Sequence, residues 1–339
     1  MAERNLAVEL GNVICRFGDD AVLLDHFDEI VFPAFVDGYV RSFGDTRYFF
    51  EKVSLVFLEK DGANPVVGIA GRFIKDHVLS RDQVYIEGKG LVHDREEMQS
   101  SPSALFLLIL NNHRLVYLKE TGDAPPLSAF RSTLLSFLRQ QHGRVLKEYL
   151  EAIPEGIGRD KKRIAREKIN EAYQKPTLLL IPLTSDESIE KFIGRYETLK
   201  KITITFAETN DETHLDDFFA SLQDQKESLG SDRSSVVHAA AQGLDKAEAI
   251  AQVSAATEQG TQSVTLRGVD DGGDLLIGNN EQFQIRKAID DVSDDPEEAA
   301  VDLYEVFTDL VNAGSVKVRK IKSKTINKIK KIIKEYLDD

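Results

Sequence analysis

The chain of 339 residues contains one cysteine, Cys15, which excludes an intramolecular disulfide and a cysteine-rich metal site. Cys15 lies in the apolar stretch NVICRF, and no nearby histidine or helix start is evident to stabilise a thiolate, so the sequence predicts a buried structural thiol. Long apolar runs are lacking as well, because candidates such as residues 104–110 have the length of a strand, whereas a membrane span needs roughly 18 to 20 residues. The stretch MAERNLAVELG is polar and unlike a secretory signal. We therefore expect a cytoplasmic protein without a membrane span.

Sequence motifs for nucleotide binding and hydrolysis are also lacking. The chain has no GxxxxGK[ST] or GxGxxG motif for phosphates, no GxSxG nucleophile motif and no HExxH zinc motif. Its seven histidines are scattered, with no pair at the i, i+2 or i, i+4 spacing of metal ligands. The sequence therefore predicts no cofactor, no metal and no catalytic residue, and the leading interpretation is a protein that is not an enzyme.

One catalytic pattern leaves an alternative open. Glu87 and Lys89 form an E-x-K triplet in VYIEGKG, and Asp76 lies upstream on the preceding strand or turn. The period of two along a strand would place Glu87 and Lys89 on one face. Nucleases of the PD-(D/E)xK type need carboxylates to hold Mg²⁺ and a lysine to position the attacking water. The alternative function is therefore a magnesium-dependent nuclease that uses Asp76, Glu87 and Lys89.

Charge is distributed unevenly along the chain, whose formal net charge is -14. Residues 315–339 carry nine basic against three acidic side chains, so this segment is +6 and the other 314 residues sum to -20. Such asymmetry predicts a local surface for a polyanion. Apolar residues from Ile326 onward recur at helical spacing, which predicts a docked helix with Lys324, Lys328, Lys331 and Lys334 turned largely outward. The predicted nucleic-acid-binding residues of this segment are Lys317, Arg319, Lys320, Lys322, Lys324, Lys328, Lys330, Lys331 and Lys334.

A second basic patch occupies residues 159–175, with seven bases against three acids on a predicted helix. Its nucleic-acid-binding candidates are Lys161, Lys162, Arg163 and Arg166. For both patches a solvated charged face on a structural helix is the competing interpretation. Because lysine acts as a point charge, these side chains suit phosphate neutralisation rather than reading of base edges.

The pattern of apolar residues predicts an α+β protein with two domains. Alternating and apolar runs indicate strands at 6–17, 53–58, 66–74 and 84–86, a hairpin over 104–120, and then a helix over 127–153. The second half alternates strands and helices, including a helix over 214–229, and ends in a hairpin whose turn is DDGG. The predicted units are a mainly antiparallel domain (1–153), a basic linker helix (154–176), a ferredoxin-like split βαβ domain (177–314) and a basic C-terminal segment (315–339).

Three stretches of the chain carry a resemblance to a known group of proteins. They are LFLLILNNHRLVYLKE with a following helix that contains Phe130 and Phe137, KITITFAETND with the helix LDDFFASL, and SVTLRGVDDGGDLLIG. This layout, over about residues 104–289, resembles the RexA exclusion proteins of phage lambda and the KwaB-like proteins of the Kiwa anti-phage system. The resemblance implies a cytoplasmic homodimer of bacterial defence or phage exclusion that binds double-stranded DNA with little sequence preference, and it transfers no catalytic residue.

We therefore predict a sequence-tolerant DNA-binding protein of bacterial immunity that acts without catalysis through local basic patches. The partners expected are double-stranded DNA, a second copy of the chain, and a protein of the same defence system. A third interpretation is an interaction subunit whose basic segment docks on an acidic or membrane-bound partner.

Overall fold

Two antiparallel β-sheets organise the chain. In the computed structural model, residues 6–19, 21–60, 64–156, 158–207, 221, 225, 228–231, 234–258 and 260–337 are described. The strands are β1 (Leu6–Phe17), β2 (Ala21–Val22), β3 (Val40–Phe43), β4 (Thr46–Glu59), β5 (Val66–Ile86), β6 (Gly90–Ser100), β7 (Ser103–Ile109), β8 (Arg114–Lys119), β9 (Pro176–Pro182), β10 (Tyr196–Phe206), β11 (Ser234–Ala239), β12 (Gln262–Asp270), β13 (Leu275–Asn279) and β14 (Arg286–Ile289).

The helices flank these sheets. They are α1 (Phe32–Val36), α2 (Leu127–Glu151), α3 (Arg159–Ala172), α4 (Asp186–Gly194), α5 (Lys246–Thr257), α6 (Pro296–Asn312) and α7 (Ser323–Tyr336). A 3-10 turn over Leu23–His26 runs directly into a π-helical turn over Phe27–Val31. We call residues 23–31 the acidic segment, because they include Asp25, Asp28 and Glu29.

The large sheet has the order β14-β1-β8-β7-β5-β4-β3, with β2 and β9 on β1 and β6 on β5. Its central strands are apolar on both faces because both faces are covered. One face packs on α1, α2 and α7 around an aromatic cluster of Phe50, Phe73, Phe106, Phe130 and Phe137. The other face packs on α6, through residues that include Leu303 and Phe307.

Several predicted elements are confirmed. The strand over 6–17, the hairpin of β7 and β8, and the long helix α2 lie where the apolar pattern places them. Cys15 is fully buried, and burial raises the pKa of its thiol to about 12, as expected for a structural thiol. The predicted helix over 214–229 lies almost entirely outside the described residues.

The small sheet has the order β11-β10-β12-β13, and α4 and α5 cover one face of it. Every strand pair in this sheet is antiparallel. A split βαβ unit joins two parallel strands through a helix and leaves one antiparallel strand between them, and β10 lies in this way between β11 and β12, which flank α5 in the chain. This arrangement is compatible with the predicted split βαβ unit, but the ferredoxin-like fold as a whole stays a prediction, whereas the α+β class is confirmed.

Strand pairing crosses the predicted domain boundaries. β9 pairs with residues 11–17 of β1, and β14 pairs with residues 6–9 of the same strand. In addition, α6 and α7 pack on the large sheet. Residues assigned to the C-terminal half are thus divided between both sheets, and division into two independent folding units stays a prediction.

The longest strand, β5, leaves the body of the large sheet. Its first half pairs with β4 and β7, but from His77 onward it pairs with β6 alone among the described strands. The resulting two-stranded hairpin, residues 77–100, is called the arm. Gly88 and Gly90 have φ of 80° and 75° at its tip, a left-handed conformation that glycine adopts without steric cost. The short strand predicted at 84–86 is the distal end of this 21-residue strand.

Candidate nucleic-acid interface

The basic C-terminal helix α7 is docked on the large sheet through one apolar stripe. Ile329, Ile332 and Ile333 are buried in the core that contains α2, and Thr325 is buried beside them. Tyr336 meets the ring of Phe32 edge to face, with the ring centroids 5.3 Å apart. The predicted helix and its buried stripe are therefore confirmed.

The polar face of α7 is partly neutralised by the acidic segment. Lys328 Nζ lies 2.6 Å from Asp25 Oδ1, and Lys331 Nζ lies 2.9 Å from Asp28 Oδ2. The side chain of Lys328 is 21% exposed, so the prediction that it turns outward is wrong. Its charge is held by a carboxylate of the same chain, because the helix docks directly above Asp25.

The ionisation of both pairs reflects this contact. Burial acts to raise the pKa of Asp25, but hydrogen bonds from Lys328 and from the backbone N–H of Val22 outweigh it and lower the pKa below its ordinary value. The hydrogen bond to Asp28 raises the pKa of Lys331. These contacts therefore favour the charged forms of Asp25 and Lys331.

Other basic residues of the C-terminal segment face solvent. Lys317 is paired with Glu258, and Arg319 is half-buried with a polar or ionic contact of its own. Five lysines are exposed and have no ion-pair partner within 4.0 Å among the described residues. These five, which we call the exposed lysines, are Lys320, Lys322, Lys324, Lys330 and Lys334.

The second basic patch lies on α3, which buries none of its side chains. Lys161 and Arg166 are exposed and Lys162 is half-buried, all without an ion-pair partner in the described part of the chain. Arg163 pairs with Glu167 one turn further on, at 2.7 Å. Because Ile164 is also 44% exposed and no side chain of this helix is fully buried, the helix gains little from packing.

Helix α3 is anchored at its C-terminal end. The ring of Tyr173 stacks on Tyr149 with the centroids 4.8 Å apart, and the hydroxyl of Tyr173 donates to Glu29 Oε2 at 2.7 Å. Tyr149 donates to the other oxygen of Glu29. Burial and the bond to Glu29 raise the pKa of Tyr173, so its phenol stays protonated and continues to donate.

The acidic segment therefore contacts both basic patches, which are about 140 residues apart in the chain. Asp25 and Asp28 hold α7, whereas Glu29 holds the end of α3. The ring of His26 lies between these contacts, 5.2 Å from the ring of Tyr173. Burial lowers the pKa of His26, and its Nε2 has no hydrogen-bond partner among the described residues.

Sequence analysis missed the acidic segment as part of this site. The stretch DHFDEIV places three carboxylates at positions 25, 28 and 29, a spacing that gathers side chains on one side of a helical turn. That signal was available, but its partners lie more than 100 residues away. Only the fold shows that these acids contact the basic helices.

The residues of the nuclease alternative are not brought together. Asp76 lies at the base of the arm, where it accepts hydrogen bonds from Gln99 and Ser101 that lower its pKa. Glu87 and Lys89 lie in the turn at the arm's tip, about 36 Å away at roughly 3.3 Å per residue along β5. They cannot share one metal ion in this arrangement. No group of three potential metal ligands occurs among the described residues.

The exposed cations of the two basic helices are mostly lysines, which supply charge without the planar fork that pairs with a base edge. No helix in the described part of the chain has both the length and the apolar content to cross a bilayer. No family model and no curated protein matches the sequence.

Proposed function

We propose that this protein binds double-stranded DNA without sequence preference and without catalysis, through a surface formed by α3 and the exposed lysines of the C-terminal segment. The observation that carries this proposal is the position of the acidic segment, which contacts α7 through Asp25 and Asp28 and the end of α3 through Glu29. Two basic patches that are far apart in sequence thereby both contact the acidic segment, residues 23–31.

Electrostatics makes this surface selective for a polyanion. The remainder of the chain is strongly acidic, so a nucleic acid is repelled except where cations are concentrated. Each lysine that neutralises a phosphate releases condensed counterions, and this term supplies most of non-specific affinity. The proposed surface has five exposed lysines on one patch and the exposed bases of α3 on the other.

The geometry also favours indifference to base sequence. Phosphate contacts fix the position of a protein on the duplex but carry no sequence information. We therefore expect binding to vary little between unrelated duplexes of equal length. The resemblance to RexA and KwaB-like proteins leads us to place this activity in anti-phage defence or phage exclusion in the bacterial cytoplasm, with the protein acting as a homodimer.

Charge substitutions test the proposal better than truncation does. Deleting residues 315–339 would also remove Ile329, Ile332 and Ile333 from the core, so lost binding could reflect unfolding. We propose instead two triple variants on the surface and one control with an identical change of charge. The α3 variant is Lys161→Gln, Lys162→Gln and Arg166→Gln, the α7 variant is Lys324→Gln, Lys330→Gln and Lys334→Gln, and the control is Lys200→Gln, Lys201→Gln and Lys287→Gln.

The control lysines are exposed on β10 and β14 and have no ion-pair partner in the described ranges. Fluorescence anisotropy with two duplexes of unrelated sequence should show weaker binding of both surface variants to both duplexes, and unchanged binding of the control. Equal losses in all three variants would indicate an effect of net charge alone. Wild-type affinity in both surface variants, with their folding verified by circular dichroism, would refute the proposed surface.

A further inference from the structure

Most side chains of the arm are exposed. Beyond Asp76, β5 and β6 pair only with each other among the described strands, so both faces and both outer edges are open. An isolated two-stranded ribbon is marginally stable in water. This one nevertheless exposes large apolar side chains, including Tyr85 and Leu91 at 70% each and Met98 at 61%. Such a ribbon is typical of a surface that another molecule covers.

The apolar residues of one face are arranged in two cross-strand pairs. Leu79 lies opposite Met98 near the base of the arm, and Tyr85 lies opposite Leu91 near its tip. Residues 79, 81, 83 and 85 share this face, because side chains alternate along β5 and the register shift between Arg81 and Gln83 adds its extra residue to β6. The face therefore has an apolar pair at each end.

A charged cluster separates these two pairs. Arg81 lies 2.5 Å from Asp94 and 2.6 Å from Glu96, which is its cross-strand partner. All three side chains are about half exposed or more, so each retains capacity for a second partner. Along this face of the arm, an apolar pair is followed by the charged cluster and then by a second apolar pair, so the sequence of surface types is the same from either end.

The charge of the arm argues against a nucleic acid or an anionic surface as its partner. Five acidic side chains stand against three basic ones over residues 77–100. The acids are Asp82, Glu87, Asp94, Glu96 and Glu97, and the bases are Arg81, Lys89 and Arg95. A partner that is itself of mixed charge and partly apolar fits this surface better.

We propose that the arm is the homodimer surface, and that the partner is the arm of a second copy related by a two-fold axis near Gln83. An isologous contact needs a patch that is complementary to itself. Antiparallel stacking of two arms places the Tyr85–Leu91 pair of each on the Leu79–Met98 pair of the other. It also places Arg81 of each copy against Asp94 and Glu96 of the other.

The size of this face sets the expected strength. An arm about 30 Å long and roughly 10 Å wide buries about 300 Å² on each copy, below the roughly 800 Å² of a standard stable interface. We therefore expect a reversible dimer whose population rises with protein concentration. The inference does not depend on DNA binding, since it uses none of the residues of α3 or α7.

Complementary charge reversals test the two-fold contact. In sedimentation velocity, Arg81→Glu alone and the double variant Asp94→Lys, Glu96→Lys alone should each shift the protein to monomer, because like charges then face each other. An equimolar mixture of the two should recover the dimer, because opposite charges face each other again. Wild-type protein that stays monomeric up to its solubility limit, or a mixture that does not associate, would overturn the proposal.

Cysteine crosslinking tests the face directly and leaves the charged cluster intact. The single native cysteine, Cys15, is buried and gives no background. Under mild oxidation Gln83→Cys should form a disulfide-linked dimer, because the proposed axis passes close to this position. Asp82→Cys, which is equally exposed but on the opposite face, should not. Equal crosslinking of both variants, or of neither, would contradict stacking through this face.

Discussion

Removing the carboxylates beneath α7 should strengthen DNA binding while it weakens the fold. Asp25→Asn and Asp28→Asn together release Lys328 and Lys331, which those acids hold at 2.6 and 2.9 Å. If both ammonium groups then contact phosphate, each adds about 0.9 to the slope of log affinity against log salt, or about 1.8 in total. Over a fourfold change in salt, the ratio of variant to wild-type affinity should then change about 12-fold.

The same change should lower stability. Because Lys328 and Asp25 form a half-buried pair, we expect its loss to lower the free energy of unfolding by about 1 kcal/mol, whereas the pair of the exposed Lys331 adds little. Urea denaturation measures this loss, and anisotropy at several salt concentrations measures affinity. The two readouts should move in opposite directions, which a merely unfolded variant would not show.

A matched control separates release of lysines from the change in net charge. Asp290→Asn and Asp291→Asn also remove two negative charges, but both acids are exposed and have no ion-pair partner among the described residues. This control should leave the salt slope unchanged. A rise in slope equal to that of the Asp25 and Asp28 variant, or an unchanged slope in that variant with its fold intact, would refute the reasoning.

Four further predictions follow from the same contacts. Three exposed lysines are neutralised in the variant Lys324→Gln, Lys330→Gln and Lys334→Gln. The slope of log affinity for DNA against log salt should then fall by about 2.7, and an unchanged slope would show that α7 does not contact DNA. Ile332→Ala should lower the free energy of unfolding by about 2 to 5 kcal/mol in urea denaturation, because the side chain is 3% exposed, and a loss below 1 kcal/mol would contradict tight docking of α7. The urea midpoint, measured as a function of pH, should fall below pH 6.5, the ordinary pKa of histidine, because His26 has a lowered pKa in the fold, and it should fall further below pH 3.8 as Asp25 is protonated. His26→Gln should remove the first of these two steps. If the first step persists in that variant, it belongs to another group. Plasmid DNA with Mg²⁺ should stay uncut on agarose gels, whereas cleavage that is abolished by Asp76→Ala and by Glu87→Ala would restore the nuclease alternative.

Local structure could be predicted where the residues that determine an element lie within it or next to it in the sequence. The β7–β8 hairpin has an apolar run on each side of Asn111 and Asn112, so register and turn follow from local chemistry. The helix α6 begins where Asp295 accepts hydrogen bonds from the N–H groups of Glu297 and Glu298, and the stretch DDPEE displays this capping pattern locally. In both cases the residues that determine the element lie within the element.

Long-range pairing could not be predicted in the same way. The antiparallel contact of β10 with β12 joins residues about 60 apart, and the apolar pattern of a strand is the same for either direction of its neighbour. Likewise, the helical spacing of α7 identifies its buried stripe but does not show that Asp25 lies beneath Lys328. The charge asymmetry located the candidate site, whereas its neutralised and exposed lysines could be distinguished only from the fold.

The pairing of β1 has a consequence for how the chain acquires its structure during synthesis. One edge of β1 is covered by β9 and β14, so it stays open until the ribosome has made residues up to 182 and is fully covered only at residue 289. An open edge strand is a template for pairing with other chains. Contacts of such high sequence separation also slow folding, and incompletely folded intermediates aggregate. The nascent N-terminal half should therefore depend on chaperones, and its expression without the later strands should yield insoluble protein.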